Sequence, residues 1–254
     1  MFDPKKNEVQ KAKPLPVMLL LDVSGSMSGV KIDTLNDALR IMLKTFADEA
    51  RMETEIQVSI ITFGEELKRL YPFTPASNIK YENLIARGGT PLGECLKMAK
   101  AIIEDRDETP SRAYRPAVVL VSDGRPGDSW QKPLQDFISE GRSQKCDRMA
   151  MAIGSDADLD VLGKFVEGTS NPLFEAHRAT EIHNFFKKVT MSVTMRTRST
   201  NPNVIPTVEL PEQPSTQPVP QTQTVNPQTT KSSTPSLDGG TVQQPQDSDD
   251  EDYF

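Results

Sequence analysis

Asp22-Val23-Ser24-Gly25-Ser26 places one carboxylate and two hydroxyls at alternate positions where an apolar run over 16–23 gives out. Further along, Thr90 stands between Gly88-Gly89 and Pro91, and Asp123 stands in Ser122-Asp123-Gly124, directly after an apolar run over 118–121. Two carboxylates and three hydroxyls are hard oxygen donors, a set that suits Mg²⁺ or Mn²⁺ and not Zn²⁺ or copper. Mg²⁺ keeps several waters, so such a set leaves a coordination position for a group brought by another molecule. Taken singly, each segment has a plainer explanation. A D-x-S-x-S pattern arises by chance in roughly one chain in ten or twenty of this length at average composition. Thr90 is equally a helix N-cap with proline at the first helical position, and Asp123 a turn former. The chemistry exists only if the fold brings the five oxygens together.

Apolar runs of strand length alternate along the chain with segments of helical period, the pattern of a mostly parallel sheet covered on both faces. Residues 16–23 read as a buried first strand, and 30–52 as a helix with Leu35, Leu39, Met42, Leu43 and Phe46 on one face. Residues 55–63 and 67–73 read as a hairpin turning at Gly64-Glu65-Glu66, which supplies an antiparallel edge strand. Helices are expected over 90–105, 130–141, 159–166 and 179–196, and strands over 115–121, 148–153 and 173–176. The expected fold is α/β, a doubly wound, mostly parallel six-stranded sheet with one antiparallel edge strand. In the common order 3-2-1-4-5-6, connections leave strands one and four in opposite senses and open a crevice at their carboxyl ends. Asp22 ends strand one, Asp123 ends strand four, and the Thr90 loop enters the helix that feeds strand four. Topology therefore points all five oxygens at one place.

In order and spacing, Asp22-x-Ser24-x-Ser26, Thr90 and Asp123 resemble the metal-ion-dependent adhesion site of von Willebrand factor type A domains, and the resemblance covers residues 14–196. Ile61-Thr62-Phe63-Gly64, Gly89-Thr90-Pro91-Leu92-Gly93-Glu94 and the stretches 121–130 and 152–160 are similar to the intracellular bacterial branch associated with tellurite resistance, the TerY and YegL type. The resemblance implies the Rossmann-like fold of that family. It also implies that Ser24, Ser26 and Thr90 bind Mg²⁺ or Mn²⁺ directly or nearly so, with Asp22 and Asp123 acting mostly through water. A metal held mainly by neutral hydroxyls stays electron-hungry and attracts an Asp or Glu carboxylate from a protein partner. The family's bacterial members often occur beside a Ser/Thr kinase and a PP2C-type phosphatase, which makes these the implied partners and the setting a stress-response or phospho-signalling system.

The chain has 254 residues, 36% hydrophobic and 26% charged, with a net charge of −7. The first 198 residues hold 28 charges of each sign, so all of the net charge belongs to 199–254. That stretch carries 9 of the 20 prolines and has too few large apolar side chains to offset ordering entropy. The expected organisation is a basic leader over 1–13, the domain over 14–198, and a disordered Pro/Thr/Gln-rich tail over 199–254. The tail's tip, Asp247-Ser248-Asp249-Asp250-Glu251-Asp252-Tyr253-Phe254, is expected to reach the metal crevice as a weak internal competitor or else to serve solubility or another docking partner. No apolar run reaches membrane-spanning length and no signal peptide fits. A neutral body with an acidic tail argues against nucleic acid.

Other residues have ordinary explanations. Cys95 and Cys146 have no ligand or disulfide spacing and read as reduced, buried thiols, which suggests the cytoplasm. Two unpaired cysteines also give no support to sequestration of tellurite or another oxyanion. His177 and His183 read as surface or capping residues, and Asp128 either borders the ligand surface or caps the helix that begins near Trp130. The leading function is a non-enzymatic, metal-dependent protein-binding module. The alternative is a Mg²⁺-dependent phosphohydrolase of haloacid-dehalogenase type, which requires an acid two residues after the nucleophile where this chain has Ser24. A P-loop is absent, since 25–29 lacks the Lys-Ser/Thr that follows it.

Overall fold

A computed structural model describes residues 12–49 and 54–208. Residues 1–11 of the leader, and the tail from 209 with its acidic-aromatic tip, lie outside the described residues. The strands are β1 Lys13–Asp22, β2 Thr54–Phe63, β3 Lys68–Pro75, β4 Ala117–Ser122, β5 Asp147–Ile153 and β6 Phe174–Ala176. The helices are α1 Val30–Asp48, α2 Leu92–Glu104, α3 Gln131–Ser139, α4 Leu159–Val166 and α5 Ala179–Thr197. The sheet has the order β3-β2-β1-β4-β5-β6. β3 runs antiparallel to β2, and the other neighbouring pairs are parallel. This is the six-stranded mixed α/β architecture expected from the sequence.

β1 shows why a central strand can carry two prolines. It pairs with β2 along its whole length, from Lys13 to Asp22, but with β4 only from Val17 to Leu21. Pro14 and Pro16 share one parity and precede the first β4 pairing, so their missing N–H groups leave no gap in that ladder. The strand is buried on both faces, and its alternation sorts two cores. Leu15, Val17, Leu19 and Leu21 face Leu35, Leu39, Phe46, Phe185 and Val189 of α1 and α5. Met18 and Leu20 face Leu96 and Ile103 of α2, Phe137 of α3 and Phe165 of α4. β5 alternates likewise, with Met149, Met151 and Ile153 on the first side and Arg148, Ala150 and Ala152 on the second. The alanines leave room for Phe137 and Phe165, whose ring centroids stand 5.7 Å apart.

Packing continues past residue 198, where composition had set the start of the tail. Arg196 is fully buried on the last turn of α5, and its guanidinium donates to the carbonyls of Pro202, at 2.7 Å, and Arg115. Arg115 N–H in turn donates to Asn203 Oδ1 at 2.8 Å. A buried guanidinium needs acceptors, and the chain beyond the helix supplies one of them, so Pro202 and Asn203 are tied to the body.

No helix among the described residues is long and apolar enough to cross a membrane. Cys95 and Cys146 are both buried and unpaired. Burial pushes the Cys146 thiol up to about 12 and raises the Cys95 thiol well above its ordinary value, which keeps both protonated and unreactive.

Candidate metal centre

The crevice forms where β1 and β4 end side by side. Asp22 is the last residue of β1 and is fully buried. Its Oδ1 accepts the Ser24 N–H at 2.8 Å, and its Oδ2 accepts the Ser122 hydroxyl at 2.5 Å. Burial raises its pKa above the usual carboxylate range and the nearby Asp123 charge adds to this, while Ser122 and Ser24 pull it back. Asp123 follows β4 and is 1% exposed. Its Oδ1 accepts the Ser26 hydroxyl at 2.7 Å, and Ser26 Oγ lies 3.0 Å from Ser24 Oγ. The buried carboxylates are thus the floor, joined through the Ser24 N–H and the Ser24 and Ser26 hydroxyls, and Ser26 is open to solvent at the mouth.

Thr90 arrives from a third loop. A Cβ placed on Gly124 would lie 3.4 Å from Thr90 Oγ1 and 3.7 Å from Ser26 Oγ, so both hydroxyls border the same space beside the residue after Asp123. The structure therefore brings Asp22, Ser24, Ser26, Thr90 and Asp123 to one crevice. Thr90 does not cap a helix: α2 starts at Leu92, and no cap is made by the residue before it. The cap comes from Asp128, whose carboxylate accepts the N–H groups of Gly93 and Glu94 at 3.0 and 2.9 Å. Asp128 was expected, as its plainer role, to cap the helix near Trp130; it reaches instead across the crevice to α2, whose first amides are unsatisfied.

Main-chain hydrogen bonds fasten the loops to one another. Gly25 N–H donates to Gly88 O, Arg87 N–H to Val23 O, Glu65 N–H to Arg87 O and Gly127 N–H to Thr90 O, at 2.6–2.9 Å. Gly88 has φ +80, and a Cβ there would come within 2.2 Å of the Glu65 backbone, so glycine is required where the Thr90 loop crosses the β2–β3 turn.

Sequence reasoning missed two participants. Ser122 was quoted only as a neighbour of Asp123, although it holds the Asp22 carboxylate. Lys31, second residue of α1, was not singled out at all. Its Nζ lies 2.5 Å from Asp123 Oδ2. His177 and His183 stay outside the crevice, as ordinary residues at the start of α5: His183 Nδ1 lies 3.1 Å from Ala179 O, and His177 N–H donates to Glu181.

The donor set fits a hard divalent ion. Each Asp22 oxygen already accepts one hydrogen bond, which fixes the carboxylate as an acceptor, and three hydroxyls lie nearby, Ser24 buried, Thr90 half-buried and Ser26 exposed. Among the described residues no three His, Cys, Asp or Glu side chains gather as a metal-binding group. A centre here depends on hydroxyl oxygen and water, as Mg²⁺ and Mn²⁺ tolerate.

Comparison with known proteins agrees with this architecture. Residues 17–125, from β1 through the Asp123 loop, match the model of the von Willebrand factor type A domain. The chain is 26% identical over 197 residues to inter-alpha-trypsin inhibitor heavy chain H4 of Sus scrofa, a match covering 72% of this chain and 21% of that protein. It thus spans about a fifth of that relative. Among solved structures, the von Willebrand factor type A protein from Catenulispora acidiphila superposes with a TM-score of 0.55 at 20% identity, over 72% of this chain and 43% of that one. Proximal thread matrix protein 1 of the mussel byssus, solved with a zinc-occupied MIDAS motif, also gives 0.55, at 15% identity over 71% of this chain and 48% of that one. At these identities the structural likeness concerns the fold. The segment that carries all five oxygens is thus the segment similar to a von Willebrand factor type A domain.

Proposed function

We propose that this domain is a non-enzymatic, metal-dependent protein-binding module, in which Asp22, Ser24, Ser26, Thr90 and Asp123 hold one Mg²⁺ or Mn²⁺ and a partner's Asp or Glu completes its coordination. The observation that carries the reading is the line of hydroxyls between two buried carboxylates: Ser24 Oγ to Ser26 Oγ at 3.0 Å, and Ser26 Oγ to Asp123 at 2.7 Å, with Asp22 held behind them. The carboxylates supply field from below while the neutral oxygens rise from buried Ser24 to exposed Ser26, so the ion keeps its appetite for an external anion. Exposed aliphatic side chains stand at the start of two helices and on the loop before the Thr90 segment: Val30 is 72% exposed, Ile85 72% and Leu159 43%. Apolar groups beside a charged anchor suit a protein surface better than a small ion.

The phosphohydrolase alternative has little to stand on. Position 24, where its acid/base group belongs, is a serine whose N–H is bound to Asp22. The finer setting rests on sequence segments alone: the tellurite-resistance-associated branch, a cytoplasmic location inferred from two unpaired cysteines, and a Ser/Thr kinase or PP2C-type phosphatase as the first partners to try. The test is affinity capture with the full chain in Mn²⁺ and in EDTA, alongside turnover of an aryl phosphate in Mg²⁺. A partner captured in metal and released by chelation, with no turnover, supports the module. Capture unaffected by EDTA refutes it, and metal-dependent turnover replaces it with an enzyme.

A further inference from the structure

We propose that Lys31 is a resident cation of this centre: its ammonium neutralises Asp123 when no divalent ion is bound, must yield when one arrives, and so sets the metal affinity. The inference rests on the metal reading above and concerns what that reading leaves out.

Lys31 reaches the crevice because the turn Gly25–Met27 leads into α1 through Gly29, whose φ of +76 redirects the chain. The ammonium lies 2.5 Å from Asp123 Oδ2, while Ser26 occupies Oδ1. The Asp123 side chain is shut off from solvent and that of Lys31 is one-third exposed. An exposed ion pair contributes little, but a buried carboxylate without a counter-charge is costly, so this pair differs from the surface pairs elsewhere on the domain.

A divalent ion at the hydroxyls of Ser24, Ser26 and Thr90 draws on the same carboxylate. A unit charge and a double charge within a few ångströms of each other repel strongly in a partly buried site. The ammonium is a compact charge on a flexible stem, and it has somewhere to go. Beside it lies a cleft of about 190 Å³ whose lining includes Val30, Lys31, Ile153, Gly154, His177 and Arg178, the last already paired with Glu181 at 2.6 Å. Gly154 contributes no side chain there; a Cβ on it would lie 3.5 Å from Nζ.

Calorimetric titration of Mn²⁺ into the EDTA-stripped full chain, at fixed ionic strength, tests this in the wild type, Lys31→Met and Lys31→Arg. Lys31→Met should bind Mn²⁺ more tightly by about tenfold or more, the scale of one hydrogen bond to a charged group. Lys31→Arg, which keeps the charge, should stay near the wild type. In EDTA the Met variant should melt below the wild type, and saturating Mn²⁺ should bring the two together. If Lys31→Met fails to fold, Lys31→Gln takes its place. Unchanged or weaker Mn²⁺ binding by the variant, beside a wild type that binds, overturns the proposal and leaves Lys31 as a brace for the Asp123 loop. No heat from either folded protein overturns the metal centre itself, a separate failure.

Discussion

Asp128 Oδ2 accepts the Glu94 N–H at 2.9 Å, so the loop that carries Asp123 also caps the helix that follows Thr90. One side chain thereby ties together two of the three loops of the crevice. Asp128→Ala should cost ~1 kcal/mol of stability, the usual loss for an N-cap. It should also weaken Mn²⁺ binding, because the Thr90 and Asp123 loops keep only the Gly127–Thr90 main-chain bond between them. Chemical denaturation and a metal titration on the same sample check both; a stability loss with unchanged metal affinity would show that the cap is structural only.

Asp22→Ala and Asp123→Ala should each reduce Mg²⁺ or Mn²⁺ affinity by ~100-fold or beyond detection, while the circular dichroism spectrum is kept. Asp22 carries a buried charge next to a second one, so removing it relieves repulsion in the metal-free protein. Calorimetry is the measurement, and wild-type affinity in either variant would remove that residue from the centre.

Gly88→Ala should be damaging although residue 88 lies two positions from any metal-site oxygen. The new Cβ meets the Glu65 backbone at 2.2 Å, and φ is +80. The expected cost is ~1–3 kcal/mol of strain together with weaker Mn²⁺ binding, since Gly88 O holds Gly25 between the two serines. Gly89→Ala is the control, because a Cβ there meets nothing within 4 Å. Equal behaviour of the two variants in melting and titration would contradict this account.

At the far end of β5, Asp147 is buried, and burial raises its pKa above the ordinary 3.8 against the pull of Arg196. Burial also pushes the Arg196 guanidinium down to about 10. A carboxylate with a raised folded pKa binds more protons folded than unfolded between those two values. Stability is therefore lost as pH rises from the unfolded value through the raised one, and Asp22 adds a slope of the same sign. Asp147→Asn should flatten the decline measured in EDTA by denaturant midpoints from about pH 4 to 7. A steeper decline in the variant would mean that Arg196 dominates and the sign is reversed.

The sheet was legible because β1 and β4 are apolar on both faces, and such runs alternating with helical segments admit few topologies. Asp22 and Asp123 were legible for the same reason, since each closes one of those runs. The capping alternative for Asp128 pointed to the nearby helix at Trp130, because sequence shows only proximity along the chain, whereas its partners Gly93 and Glu94 lie 34 or more residues away. Lys31 looks like any base on the solvent face of an amphipathic helix, and nothing in its neighbours announces Asp123. Residues 199–208 were given to the tail by the composition of the whole stretch, which does not register that Pro202 accepts from buried Arg196 and Asn203 from the Arg115 N–H.

The bonds that fasten the crevice loops run from main chain to main chain: Gly25 to Gly88, Arg87 to Val23, Glu65 to Arg87, Gly127 to Thr90. Such fastenings are blind to the side chains that leave the same residues toward solvent. Glu65, Ile85, Arg87 and Arg125 are all exposed around the opening. Substitution there changes what the rim meets without loosening what lies beneath it. On the proposed reading, inheritance can therefore redraw partner choice on this scaffold one side chain at a time, while the carboxylate floor is passed on intact.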